Sequence, residues 1–452
     1  MPLHVTTEPS AGPRRSFLPR LTRTAVGRWF CKFWALVVLV LVGMAVCLVN
    51  TAENPTHFSP YDEWVYYDYV TKVPTQLFVR QGEVIGEPAL EAMACDGDAF
   101  GPRGEPCTGP KGVYNEPNLY PQGGLTSADP YTPAYFVITW SAGKVIEFVS
   151  GATFLTSARA TGALWMGSGL IMLFLLFRQF RLRNIVALGL GLAYVGIGHF
   201  AFSYISTDAP SLLVGSTLAW LAVRFMRTGR GGGWLIAASM VGTWFKVTNL
   251  LAVGLVALTF VIYALMRGKA TAIDGIPRSR RLVVYAALMA VAGVVAELAW
   301  LGFRALERVG PSPDQGISAP LSLRGLASGV FVFFFPREGA GGLSSNAILL
   351  TAPIITLFMV GIFGWFLSAR GSNLNRAWSI AAAVSATLFA PLLTIAFQIL
   401  LGTAAPVSPR YSAALAPIYL VGIGMIIRNP VGAWLILAYG AGLCMADFMG
   451  QL

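Results

Sequence analysis

Charged side chains are scarce in this 452-residue sequence: they make up 12% of it, whereas hydrophobic residues make up 55%. A soluble domain usually carries about 25% charged residues, so the shortage argues against a soluble protein. Apolar runs of membrane-spanning length recur along the chain. The sequence therefore predicts an all-α polytopic membrane protein.

Several familiar catalytic patterns are also missing. The sequence shows no metal-ligand spacing, no Ser/His/Asp arrangement for nucleophilic catalysis, no glycine-rich phosphate loop and no internal repeat. The net charge of +11 does not indicate nucleic-acid binding, because the basic residues fall mostly in short loops between apolar runs. That distribution is typical of the cytoplasmic loops of a membrane protein.

Loop charge predicts the topology. Residues 1–32 form a basic, cytoplasmic N-terminus, and residues 33–50 form the first transmembrane helix rather than a cleaved signal peptide. Residues 51–132 hold 12 of the 21 acidic residues and four basic ones, so we expect them outside. Residues 51–155 then form a large exterior loop with an interfacial helix, and residues 156–452 supply the other spans. We expect about 11 spans in all, with a second exterior loop at about 303–345.

Two cysteines of the first exterior loop, Cys95 and Cys107, flank a Gly/Pro-rich turn. Outside the cytoplasm they can form a disulfide, and the alternative is a pair of free thiols.

Basic residues on the outer side break the predicted charge pattern. They are Arg159, Lys246, Arg304, Arg308, Arg324, Arg337 and Arg410. Any one of them can be an interfacial anchor. Lys246 and Arg410, however, lie in very short outer turns that hold them near the membrane surface, where a fixed cation can bind a lipid phosphate.

Acidic residues gather on the same side. Asp62 and Glu63 follow the first span, and Asp208 lies in a later outer turn, where a helix cap is the alternative role. Glu297, inside a predicted span, either pairs with Arg304 or points into a polar cavity. A carboxylate can deprotonate a hydroxyl acceptor, and a cation can stabilise a phosphate leaving group, so the set suits group transfer from a lipid phosphate.

The ordered set of motifs resembles the GT-C superfamily of glycosyltransferases that use polyprenyl-phosphate sugars. It is most similar to bacterial relatives of dolichyl-phosphate-mannose protein mannosyltransferases and of the lipid A aminoarabinose transferase. The stretches that carry the resemblance are "YDEWVYYDYV", "DPYTPAYFVITW", "TSARATGALW", "STDAP", "GTWFKVTNLLAV" and "SPRYSAALAP". In two respects the sequence departs from the family: Tyr-Thr-Pro replaces the usual His-Pro-Pro at 131–133, and no large C-terminal exterior domain follows the last helices. We therefore expect the acceptor to be held within the membrane part.

The resemblance implies a GT-C-like bundle and a role for each candidate residue. Asp62 would be the catalytic base, and Glu63 would assist it by orienting hydroxyl groups. Lys246 and Arg410 would bind the donor phosphate, with Arg159 as a further candidate. The residues that would contact substrate are Asp208, Tyr66, Tyr67, Tyr411 and His199. For the tyrosines the alternative is an interfacial aromatic belt, and for the histidine it is ordinary core packing.

The expected function is transfer of a hexosyl or pentosyl group from a polyprenyl-phosphate donor. The acceptor would be a lipid, a polysaccharide or a protein, and the active site would face outward from the plasma membrane, as in cell envelope or cell wall biogenesis. No cofactor is predicted, although two acids can bind a divalent metal. A transporter or lipid flippase also needs charges within a helix bundle, but it more often shows two related halves. A non-catalytic scaffold would leave the outer cations unexplained.

Overall fold

A computed structural model gives the arrangement of most of the chain. It describes residues 25–53, 58–59, 62–96, 119–198, 200–267, 279–313, 320–334, 345–369, 372–402, 404 and 407–449. Apart from an antiparallel bridge between Val84 and Leu125, these ranges contain no β-structure. In chain order their α-helices are α1 (Ala25–Glu53), α2 (Glu63–Gln76), α3 (Glu87–Asp96), α4 (Pro133–Ser150), α5 (Phe154–Ala160), α6 (Gly162–Gln179), α7 (Asn184–Gly198), α8 (Phe200–Ser203), α9 (Ser211–Thr228), α10 (Gly232–Phe245), α11 (Leu250–Arg267), α12 (Ser279–Leu306), α13 (Leu323–Gly329), α14 (Ser345–Ser368), α15 (Asn373–Leu401), α16 (Ala416–Ile426) and α17 (Pro430–Phe448).

Seven helical stretches within the described ranges are long and apolar enough to cross a membrane. They are α1, α5 with α6, α11 with the 3₁₀ turn before it, α12, α14, α15 and α17. The prediction of an all-α polytopic membrane protein is confirmed. The expected count of about 11 spans would also need shorter or less apolar helices such as α7, α9, α10 and α16, which are not among these seven.

Three helices of equal length cross the molecule side by side. The helices α6, α9 and α11 have 18 residues each, which at 1.5 Å per residue is about 27 Å, close to the thickness of a bilayer core. Each of them starts just after one of the predicted outer charges, Arg159, Asp208 or Lys246. One end of this trio therefore carries candidate site residues, and the other end is remote from them.

The helix α4 is built by local signals and is not one of the seven candidate spans. Thr132 accepts a hydrogen bond from the Ala134 N–H as the N-cap, Pro133 occupies the first turn, and Gly151 ends the helix in a left-handed conformation. Val145, Phe148 and Val149 near its C-terminal end are exposed. This exposed apolar surface suits the interfacial position that the sequence predicts.

Close helix packing brings the turn before α9 to the segment before α16. A Cβ atom at Gly215 of α9 would collide with the carbonyl oxygen of Ala414. Glycine therefore permits an approach that no other residue would permit here. The consequence is that Asp208, one turn before α9, comes within reach of Arg410.

The cysteines divide into two groups. Cys95, in α3, is disulfide-bonded; Cys107 lies outside the described residues, so the pairing of these two stays a prediction. Cys47 and Cys444 are buried free thiols, as expected for residues that pack between helices.

Candidate active site

The adjacent acids Asp62 and Glu63 point into different surroundings. Asp62 has left-handed backbone angles, φ 56° and ψ 2°, and precedes α2 without capping it through its side chain. Its side chain is 44% exposed, and its Oδ2 accepts a hydrogen bond from Arg410 Nη2 at 2.9 Å. Glu63, the first residue of α2, is fully buried. Only Asp62 is therefore open to a substrate.

Glu63 and Arg159 form a buried ion pair with two hydrogen bonds. Arg159 Nε donates to Oε1 at 2.7 Å and Arg159 Nη2 donates to Oε2 at 2.9 Å. The Glu63 carboxylate also accepts the backbone N–H groups of Ser59 and Ile205. Neither side chain has exposed surface. Through these hydrogen bonds the pair joins three chain segments. The structure thus places Arg159 on Glu63 and not beside the other two predicted phosphate ligands.

Asp208 lies in the turn before α9, where its side chain does not act as a cap. The N-cap residue of α9 is Pro210 and no side chain caps this helix. Instead Asp208 Oδ1 lies 2.5 Å from Lys246 Nζ, and both side chains are almost fully buried. Lys246 occupies the extended break between α10 and the 3₁₀ turn Val247–Asn249. That break turns the lysine away from the helix axis and onto the acid.

Arg410 contacts both the exposed acid, Asp62, and the buried acid, Asp208. It donates to Asp62, and its Nε lies 3.9 Å from Asp208 Oδ2. Burial lowers the pKa of Arg410, but the neighbouring carboxylates of Asp208 and Asp62 raise it above its ordinary value, so the guanidinium stays charged. Lys246 and Arg410 thus meet at one carboxylate, although they are far apart in the sequence.

Tyrosines surround this cluster and differ in exposure. Tyr66 and Tyr67 are buried, so neither offers a ring face to a sugar in this structure. Tyr66 donates a hydrogen bond to the hydroxyl of Tyr131 at 3.0 Å, and burial raises the pKa of both phenols, which keeps them protonated. Tyr411 is half-buried, and its ring centre lies 5.7 Å from Lys246 Nζ and 5.8 Å from Arg410 Cζ.

One ion pair near the site joins a predicted cation to an acid that the sequence analysis did not single out. Arg304 of α12 binds Asp129, a buried residue just before α4, and also donates to Ser312 Oγ at 3.1 Å. The suggested pairing of Glu297 with Arg304 is therefore replaced by a pairing with Asp129. Glu297 instead lines a cavity with Lys246, which was the other alternative.

A small cavity adjoins an apolar groove. The cavity has a volume of about 130 Å³ and is lined by Tyr131, Lys246, Glu297 and Tyr411, among others. The groove, of about 640 Å³, lies between α4 and α12 and is walled mainly by apolar side chains. The cavity and the groove share three lining residues, Thr132, Trp244 and Phe245. Thr132 also donates a hydrogen bond to the Trp244 carbonyl oxygen. The Tyr-Thr-Pro turn at 131–133 therefore lies where the small cavity meets the groove.

Four charged side chains thus converge from four segments: Asp62, Asp208, Lys246 and Arg410. Within the described ranges no group of three or more His, Cys, Asp or Glu side chains is placed to hold a metal ion. His199 and Arg337 lie outside the described residues, while Arg308 and Arg324 are exposed. The arrangement can bind an anion through its two cations and can accept a proton at the exposed acid.

Comparisons with known proteins find likeness only among solved structures. No protein-family model matches the sequence, and no curated protein matches it. Two crystal structures of the oligosaccharyltransferase of Archaeoglobus fulgidus, one in the apo form and one tethered to an acceptor peptide with an NVT sequon, are similar at 15% identity. The alignments cover 94% of this chain, with TM-scores of 0.46 and 0.41. The alignments cover 55% of the oligosaccharyltransferase chain, so this chain spans about half the length of that protein. A likeness this distant carries no argument about activity.

Proposed function

We propose that this chain is a membrane glycosyltransferase of GT-C type that transfers a sugar from a polyprenyl-phosphate donor to a hydroxyl group. The acceptor is a lipid, a polysaccharide or a protein, and the reaction takes place on the outer face of the plasma membrane. One observation carries the proposal: Lys246 and Arg410 meet at Asp208, and Lys246 lines a small cavity that adjoins an apolar groove. A phosphate attached to a long apolar chain needs these two environments side by side.

The two cations suit the donor phosphate because its charge grows during the reaction. A sugar linked to a polyprenyl phosphate is a phosphodiester with one negative charge, and the departing polyprenyl phosphate carries a second. Groups that stabilise the leaving phosphate more than the bound donor lower the barrier. Lys246 and Arg410 would provide this stabilisation from a largely buried position, where charge interactions are stronger than in water.

Asp62 suits the base because its carboxylate is exposed beside the cations. The acceptor oxygen would form a bond to the anomeric carbon, its proton would pass to Asp62, and the bond between that carbon and the phosphate oxygen would break with its electron pair on the phosphate. A donor phosphate that engages Arg410 would also weaken the Arg410–Asp62 contact. Loss of that contact would free the Asp62 carboxylate for the acceptor hydroxyl.

The remaining candidates have supporting positions. Asp208 would hold Lys246 and Arg410 in place before the donor arrives, and Glu297 and Tyr411 line the space between the cations and the groove, where a sugar hydroxyl could bind. Glu63 and Arg159 would act indirectly, because their buried pair fixes the start of α2 and thereby the position of Asp62. A divalent metal is not needed for any of these roles.

Removing the charge of Lys246 should weaken the reaction strongly. We expect Lys246→Ala to lower transfer by roughly ten- to a hundredfold, because a charge-assisted contact to phosphate is worth about 1.5–3 kcal/mol. Lys246→Arg should be affected less, since it keeps the charge. The measurement is the initial rate of sugar transfer from a polyprenyl-phosphate sugar by purified protein. Lys144→Ala, which removes an exposed lysine of α4, is the matched control and should keep the normal rate. An unchanged rate in Lys246→Ala would argue against the phosphate clamp.

The topology can be tested by labelling. Cysteine introduced at Glu91 in α3 should react with a membrane-impermeant maleimide added outside intact cells, whereas cysteine at Arg280, at the start of α12, should react only after permeabilisation. Both positions are exposed in the structure, and the loop charges place them on opposite sides of the membrane. The reverse pattern would place the candidate site on the cytoplasmic side.

A further inference from the structure

A second polar cavity lies at the opposite end of the three parallel helices. It has a volume of about 400 Å³ and is lined by Gln179, Arg181 and Arg227 on one side and by Ser372 and Asn375 on another. Gln179 ends α6 and Arg227 lies in the last turn of α9. Because these helices start beside Arg159 and Asp208, about 27 Å of helix separates this cavity from the candidate active site.

The cavity concentrates positive charge. Arg227 is fixed by two hydrogen bonds to Gln179, 2.8 Å to the side-chain oxygen and 2.7 Å to the backbone oxygen. Arg181 has a left-handed backbone, φ 59°, which is a costly conformation for a residue that is not glycine. In the parts of the chain that the structure describes, no carboxylate lies within 4 Å of either guanidinium. Both arginines are exposed, and two guanidinium groups on one cavity can bind an anion between them.

The other lining residues indicate what kind of anion fits. Phe180, Met226, Leu374 and Tyr263 give the cavity an apolar wall. Polar side chains and arginines thus occur together with apolar ones at the end of the helices α6, α9 and α11. A molecule with a charged head and an apolar tail matches this combination better than a fully hydrated ion does.

We propose that this cavity binds the phosphate group of an anionic membrane lipid through Arg181 and Arg227. Arginine suits the role because its planar guanidinium binds two phosphate oxygens at once. The lipid would stabilise the ends of α6 and α9 against the start of α15. The proposal does not depend on the proposed transfer reaction, since the two sites lie at opposite ends of the helices.

The test is lipid-dependent thermal stability of the full-length protein in detergent. Dihexanoyl phosphatidylglycerol should raise the melting temperature, and dihexanoyl phosphatidylcholine should do so much less. In the double variant Arg181→Gln/Arg227→Gln the concentration of phosphatidylglycerol needed for half the effect should rise about a hundredfold, about tenfold for each arginine. Arg230→Gln, an exposed arginine just after α9, is the matched control and should respond as the native protein does. Arg227→Lys keeps the charge but not the bidentate geometry, so its half-effect concentration should lie between those of the native protein and the double variant. Its melting temperature without lipid, compared with that of the native protein, guards against a folding defect.

Two results would count against the proposal. If phosphatidylglycerol stabilises the double variant as well as the native protein, the cavity is not its binding site. If inorganic phosphate gives the same arginine-dependent shift and phosphatidylglycerol gives none, the site takes free phosphate and the lipid is excluded. A response to phosphatidylglycerol that the double variant largely loses, with none to inorganic phosphate, is the result that we expect.

Discussion

Asp62→Asn should lower the rate of sugar transfer by a factor of roughly 10²–10⁴, the usual contribution of a general base. Asparagine has nearly the same size and can still accept the hydrogen bond from Arg410, but it cannot take a proton at neutral pH. Because the side chain is 44% exposed and does not cap α2, the substitution should leave the protein folded. The rate of transfer and the melting temperature of the purified variant are the measurements.

A matched control distinguishes the loss of a catalytic base from the loss of a negative charge elsewhere in the same part of the chain. Glu91→Gln removes an exposed acid of α3 and should keep the normal rate. If Asp62→Asn turned over donor at a near-normal rate, Asp62 would have no part in the mechanism, and the proton would have to go to another acid of the cluster.

Glu63→Gln should destabilise the protein by about 3–5 kcal/mol, the usual cost of breaking a buried ion pair from one side. The carboxylate accepts hydrogen bonds from Arg159 and from the backbone N–H groups of Ser59 and Ile205. A glutamine has one acceptor oxygen in place of two, and its NH₂ group would face donors. The Arg159 charge would also remain buried without a counterion. The free energy of unfolding in mixed micelles is the quantity to measure.

The exposed pair Lys144–Glu147 provides the control for this effect. Its side chains are 47% and 33% exposed, so Glu147→Gln should cost less than about 1 kcal/mol. The double variant Glu63→Leu/Arg159→Leu should recover part of the stability lost in Glu63→Gln, because it leaves no unpaired buried charge. Equal and small losses for Glu63→Gln and Glu147→Gln would mean that the buried pair does not hold the start of α2.

The sequence predicts the helices well because their signal is local. Hydrophobic runs and basic loops predict about 11 spans, and the described ranges contain seven helical stretches that are long and apolar enough to cross a membrane. The same charge pattern identifies Lys246 and Arg410, since a cation in a short outer turn contradicts the ordinary distribution of charge. Their common contact with Asp208 follows from packing around Gly215, which hydropathy does not report.

The sequence does not predict which charged residues pair with one another. Asp62 and Glu63 are neighbours in sequence, yet the left-handed backbone of Asp62 leaves one acid exposed while the other begins a helix and is buried. Aspartate adopts left-handed angles more often than most residues do, but no local pattern shows which of two adjacent acids will adopt them. Likewise Arg304 binds Asp129, which is 175 residues away along the chain, because the segment before α4 folds back onto α12. Long-range pairing of this kind depends on the tertiary arrangement and not on any local period.

The most direct test of the central claim is a structure of the protein with a polyprenyl phosphate bound. The account predicts that the phosphate lies against both Lys246 and Arg410, that its chain occupies the groove between α4 and α12, and that Asp62 borders the space where the sugar would be. A phosphate bound away from both cations, with the groove empty, would contradict the claim that this cluster holds the donor.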